Sequence, residues 1–136
     1  MQETKRDWVK FTTNGGSGYM RVSIDKRGRI LLNSFLMEQI GDAGGVSLFY
    51  DRETKSIGLL PLNDLDDDPD SLRLNKFTGR QYGSVYAVAF IRRYGIAIDK
   101  TLATHNIDTE PNGMLIVDLR HAYVVERKKR EARQIL

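Results

Sequence analysis

Cysteine is absent from the chain, which excludes disulfide frameworks, thiolate zinc sites and cysteine nucleophiles and fits a reducing compartment. Histidine is nearly absent: His105 and His121 are the only two, and neither has a Ser, Asp or second His at a spacing that suggests a triad or a metal site. Each reads as a surface or capping residue. The opening MQETKRDW lacks the apolar centre of a signal peptide, so the cytoplasm is the expected location. The glycine run Gly15-Gly16-Ser17-Gly18 stands between two predicted strands instead of opening a helix, so it reads as a hairpin turn and not a phosphate loop. No residue set for catalysis emerges, and neither a metal nor a cofactor is expected.

What remains is a chain of 136 residues and 15.5 kDa, 40% apolar and 29% charged, with a mean hydropathy of -0.42. Such values describe a globular chain, neither disordered by composition nor membrane-spanning, with one core or two small units that share one. The net charge of +3 conceals an imbalance, because Asp64, Asp66, Asp67, Asp68 and Asp70 crowd into seven positions. Setting those five aside leaves 21 cationic residues against 13 acidic ones, an excess of +8. An excess of that size on a small domain favours a polyanionic partner.

The chain also matches itself. At a displacement of 66, Lys10-Phe11-Thr12 meets Lys76-Phe77-Thr78, Val22 meets Val88, Arg27 meets Arg93, Ile30 meets Ile96, Leu36 meets Leu102 and Asp42 meets Asp108. The expectation is a duplication, with a first repeat over 1–63, an acidic linker over 64–71, a second repeat over 72–127 and a basic tail over 128–136.

In the first repeat the pattern predicts strands over 8–12, 19–24 and 29–32, with turns at Asn14 to Gly18 and at Asp25-Lys26-Arg27-Gly28. A short helix follows, capped by Asn33, burying Leu36 and Ile40 and ending at Gly41. A hairpin over 46–50 and 57–60 closes the unit. The displacement carries the scheme to strands over 74–78, 85–91 and 96–98, a turn at Arg92-Arg93-Tyr94-Gly95, a helix capped by Asp99 with His105 in it, and strands over 114–119 and 122–126. The fold class expected from this pattern is mostly β, a β-barrel or sandwich with small helices, closed by internal pseudo-twofold symmetry. Val22, Ile24, Ile30, Leu32, Leu36, Val88, Phe90, Ile96, Ile98 and Leu102 would share its core.

The linker between the repeats, with self-repelling carboxylates and Pro69, reads as an extended connector. Its alternating Asp64, Asp66, Asp68 and Asp70 imitate the start of a calcium loop, but Pro69 occupies the place of the required glycine and Asn75 that of the bidentate glutamate.

Over about 20–62, the segment Ile24-Asp25-Lys26-Arg27-Gly28-Arg29-Ile30, the short helix after it and the hairpin ending Gly58-Leu59-Leu60-Pro61 resemble the AbrB-like swapped-hairpin family. The resemblance implies a strand, an Asp-x-x-Gly-Arg turn, a strand, a short helix and a closing hairpin, here in duplicated ββαβ units forming a swapped-hairpin or cradle-loop, double-psi-like barrel with short helices, and most members bind DNA. It implies that Asp25, Gly28 and Arg29 hold the turn while basic side chains near it face phosphates. Asn33 stands where the family often has proline, Met37 and Glu38 where arginines occur, and Tyr94-Gly95 replaces Gly-Arg in the second unit.

Independently of that resemblance, Arg21, Lys26, Arg27 and Arg29 cluster around the first inter-strand turn, and Arg92 and Arg93 occupy its counterpart. Paired basic turns suit the two strands of a duplex. Arg127, Lys128, Lys129 and Arg130 begin a second basic element that could grip phosphate or a protein partner, or form only a solvated helix end. Trp8, Phe11, Tyr19, Phe77, Tyr82 and Tyr86 could stack unpaired bases, although Phe11 and Phe77, with matching neighbours, read as core. The function expected is a DNA-binding transcriptional regulator that contacts double-stranded DNA, with a homodimer open and no membrane partner. The alternatives are a protein-interaction module, such as an antitoxin or a phage or plasmid accessory protein, and a single-stranded nucleic-acid binder.

Overall fold

A computed structural model describes residues 19–77 and 82–125. The expected N-terminal strand, Trp8, Phe11 and the basic run from Arg127 to Arg130 lie outside the described residues.

Strict alternation of apolar side chains builds the first hairpin. β1 (Val22–Ile24) and β2 (Arg29–Leu32) are antiparallel, with Val22 opposite Leu32 and Ile24 opposite Ile30. These four side chains lie on one face and are at most 2% exposed. Helix α1 (Ser34–Ile40) follows as the capping signals require: the Asn33 side chain accepts the Leu36 N–H at 3.1 Å, and Gly41, at φ 63°, returns its own N–H to Met37. Strands β3 (Gly45–Asp51) and β4 (Ser56–Leu62) then pair along their whole length.

The acidic segment is not an extended connector. Residues Leu65–Asp67 make a 3-10 turn whose first amides are capped by Asp64, while Asp68 accepts the Asp70 N–H and the Ser47 hydroxyl. Leu65 packs over Gly45, where a side chain would collide with it. Two of its five carboxylates, Asp64 and Asp68, accept local hydrogen bonds, and one leucine anchors the segment to the sheet.

Beyond it come β5 (Leu72–Lys76), β6 (Gly83–Tyr86), α2 (Val88–Arg93), β7 (Leu102–Thr104), β8 (Ile107–Thr109), β9 (Leu115–Asp118), a second 3-10 turn (Leu119–His121) and β10 (Tyr123–Val124). The ten strands form one antiparallel sheet, curled into a half-barrel, in the order β10-β7-β1-β2-β6-β5-β3-β4-β9-β8. Near its middle β2 pairs with β6, with Ile30 opposite Val85, both wholly buried. Strand β3, which follows α1, pairs with β5, and β7, which follows α2, returns to pair with β1. No helix among the described residues is long and apolar enough to cross a membrane.

The mostly β class with short helices is as expected, but the second half departs from the element scheme. The expected strand over 85–91 ends at Tyr86, and Val88–Arg93 is helical. Its β-branched and aromatic residues favour a strand, yet Ala87 and Ile91 are buried with Ala89 between them exposed, which strand alternation would not give, and Gly95 at φ 62° stops the helix. Arg92 and Arg93 therefore belong to a last helical turn, where cations complement the helix dipole, and not to an inter-strand turn. Ile96 and Ile98 pack against the core without forming a strand, and β7 occupies the place of the expected second helix. His105 lies between β7 and β8. Phe77 is not a core residue: it is 42% exposed, just past the last β5–β6 pair, and stacks on Tyr82 at 4.9 Å.

Ile30→Ala or Leu36→Ala should therefore cost about 2–5 kcal/mol, whereas Phe77→Ala should cost less than about 1.5 kcal/mol, the worth of an exposed aromatic pair. Denaturant unfolding of the three variants beside the wild type provides the comparison.

Candidate functional site

The turn between β1 and β2 is organised by one carboxylate. Asp25 Oδ1 accepts the backbone N–H groups of Arg27 and Arg29, both at 3.0 Å, and Oδ2 accepts Arg29 Nε at 2.8 Å. The Gly28 N–H closes onto the Asp25 carbonyl at 3.0 Å, with Gly28 in the left-handed region at φ 85°. Burial by itself would raise the Asp25 pKa; the backbone and side-chain hydrogen bonds from Arg29, its charge and the Arg27 amide outweigh that and hold the carboxyl below its ordinary 3.8. Arg29 is thus committed to Asp25. Lys26 and Arg27, exposed at the tip, form no ion pair among the described residues.

Helix α2 presses against this turn. The Ala87 N–H donates to the Gly28 carbonyl at 2.8 Å, and a Cβ at position 28 would stand 2.5 Å from Val88 Cγ2. At its far end α2 is held by aromatic contacts with β3: the Tyr50 ring lies 6.3 Å from Phe90 and 5.4 Å from Tyr94. Between these supports Arg92 faces an open cleft of about 570 Å³ that it shares with Lys26, Arg27 and the Asp25–Arg29 pair. Val88, Ile91, Ile96 and Ile98 give the cleft an apolar wall, and Tyr86, opposite Arg29 on β6, stands exposed beside it.

Of the cations singled out in the sequence, Lys26, Arg27, Arg29 and Arg92 meet in this cleft. Arg93 is exposed on α2 but does not line it, and Arg21 lies before β1, where its carbonyl accepts the Asn33 N–H at 3.1 Å. Tyr86, one of the aromatic residues that the sequence offers as a base platform, stands beside these cations, whereas the expectation of a strand through Ile91 leaves the apolar wall out of the site; the pair Tyr94-Gly95 behind an alanine-containing stretch is the available sign of a helix end.

A second cleft, of about 480 Å³, lies beside the β3–β4 turn and has the opposite character, with Asp51, Asp108, Glu110 and Asp118 around Arg120. The Arg120 side chain donates to both Asp118 oxygens, at 3.1 and 2.8 Å, and this pairing, helped by the Arg120 backbone N–H, outweighs the opposing effect of burial and pushes the Asp118 carboxyl down to about 2. Among the described residues no three His, Asp or Glu side chains converge as a metal site. His105 is occupied by its neighbours, with one ring nitrogen 2.9 Å from the Tyr123 hydroxyl and the other 3.3 Å from the Met20 carbonyl. Compared with known proteins, the chain matches no family model, no curated protein and no solved structure.

Because the Asp25 carboxyl is held below its ordinary value, its contribution to stability is complete above that value and is lost as the pH falls through the lowered one. The stability gap between wild type and Asp25→Asn should be widest at neutral pH and close progressively below pH 3.8, as denaturant midpoints across the acid range would register. Gly28→Ala should cost more than about 1 kcal/mol, since it combines a left-handed backbone with overpacking against Val88.

Proposed function

We propose that this protein is a DNA-binding transcriptional regulator of AbrB-like, tandem swapped-hairpin type, and that the cleft cations supply its phosphate contacts. The observation that carries this reading is the convergence of Lys26, Arg27 and Arg92, from elements far apart in sequence, at one open surface where the nearby carboxylate is already committed to Arg29. Cations with no ion pair among the described residues are the groups available to exchange counterions for phosphate.

The duplication belongs to this proposal, with a changed register. Ile30, Leu32 and Leu36 recur in spacing and burial as Val85, Ala87 and Ile91, each preceded by a buried glycine, Gly28 or Gly83. The run β7-β1-β2-β6-β5-β3 fits two ββαβ units that each lend the strand after the helix to the other. In that register Lys26 and Arg27 correspond to Gln81 and Tyr82, which carry no charge, and Arg92 serves the first turn's cleft.

Affinity for duplex DNA should fall steeply with salt. Replacing Lys26, Arg27 and Arg92 by alanine should flatten the slope of log affinity against log salt by about 0.9 for each phosphate no longer neutralised, up to roughly 3 in the triple variant, with thermal stability nearly unchanged. A slope unaltered in the triple variant would remove the cleft from the DNA interface.

A further inference from the structure

A ridge of cations is enough to hold a duplex backbone, yet this cleft has features that a phosphodiester leaves unused. Its apolar wall of Val88, Ile91 and Ile96 faces a volume of about 570 Å³, within the range of small-molecule sites. Tyr86 is 64% exposed and sits directly across from Arg29 in the β2–β6 pair, and opposed residues of an antiparallel pair project from the same face. The phenol ring therefore emerges beside a guanidinium that Asp25 keeps from swinging away. An aromatic face, an apolar wall and three cations that have no carboxylate partner among the described residues complement a planar heterocycle that carries several negative charges. A nucleotide within a strand brings one phosphate charge to such a cavity; a free nucleoside polyphosphate brings enough to meet all three cations.

We propose that the cleft binds one free nucleoside polyphosphate, with its base on Tyr86 and the apolar wall and its phosphates on Lys26, Arg27 and Arg92. Because these are also the cations assigned to DNA, the nucleotide and the duplex exclude one another; that exclusion rests on the DNA reading, whereas the nucleotide site does not.

Calorimetric titration of the full chain with ATP, with GTP and with inorganic tripolyphosphate tests the site. At least one nucleotide should bind more tightly than tripolyphosphate. Tyr86→Ala should weaken nucleotide binding by roughly 5- to 150-fold, the effect of losing one base–aromatic stack, leave tripolyphosphate unchanged, and be rescued by Tyr86→Phe. Arg92→Ala should weaken nucleotide and tripolyphosphate alike. Tripolyphosphate binding as tightly as both nucleotides, or indifference to Tyr86→Ala, would overturn the proposal, as would Tyr86-dependent binding of a short oligothymidylate without binding of either nucleotide. In a parallel arm, anisotropy of a labelled duplex should fall when the nucleotide is added at constant ionic strength. A duplex that never binds, beside a Tyr86-dependent nucleotide that does, would sustain the nucleotide site and bring down the DNA reading alone.

Discussion

The cleft exists because Gly28 has no side chain. Its left-handed conformation closes the β1–β2 turn, and its bare Cα lets Ala87 and Val88 approach closely enough for a 2.8 Å hydrogen bond between turn and helix. A Cβ there would push the start of α2 away from the sheet, and Arg92, one helical turn further on, would leave the neighbourhood of Lys26 and Arg27. The same closeness sets Tyr86 across from Arg29, since β2 and β6 must already be paired where the turn meets the helix. Position 28 thus couples backbone strain, strand pairing and the gathering of charge.

Much of the acidity of the chain is spent locally. Asp25 caps its own turn, Asp64 and Asp68 cap the connector, and Asp118 is bound by Arg120. The cations divide differently: Arg29 and Arg120 are each held by a neighbouring carboxylate, while Lys26, Arg27 and Arg92 form no ion pair among the described residues. A modest overall charge is thereby resolved into one face with available positive charge and a separate cleft rich in carboxylates, which gives the molecule a polarity for orienting a charged partner before contact.

The first half could be read from sequence because its signals are local and agree. Alternation at Val22, Ile24, Ile30 and Leu32, the Asn33 cap, the Gly41 stop and the Asp25-to-Gly28 turn all operate within a few residues, and each has its expected structural counterpart. The second half was misread where local and tertiary preferences diverge. Val85 through Ile91 favours a strand by composition, but a strand would bury Ala89 with Ala87 and Ile91, whereas the helix from Val88 leaves Ala89 exposed. The displacement of 66 aligned chemically similar residues without aligning the elements that carry them. Lys26, Arg27, Arg29 and Arg92 could be named as candidates from charge alone; that they meet in one place depends on the β2–β6 pairing, a long-range contact with no local signature. The apolar part of the cleft was obscured for the same reason.

The exchange of strands across the sheet bears on how the chain comes apart. Because β3 is paired to β5 and β7 to β1, each half lacks an edge partner until the other has been made, so early folding has no self-sufficient half on which to pause and must wait for sequence-distant segments to meet. The interlock works in the other direction too. A protease that cut the acidic connector between β4 and β5 would break the covalent link without freeing either fragment, since each would still hold a strand of the other, and the nicked molecule would stay together until the sheet as a whole gave way.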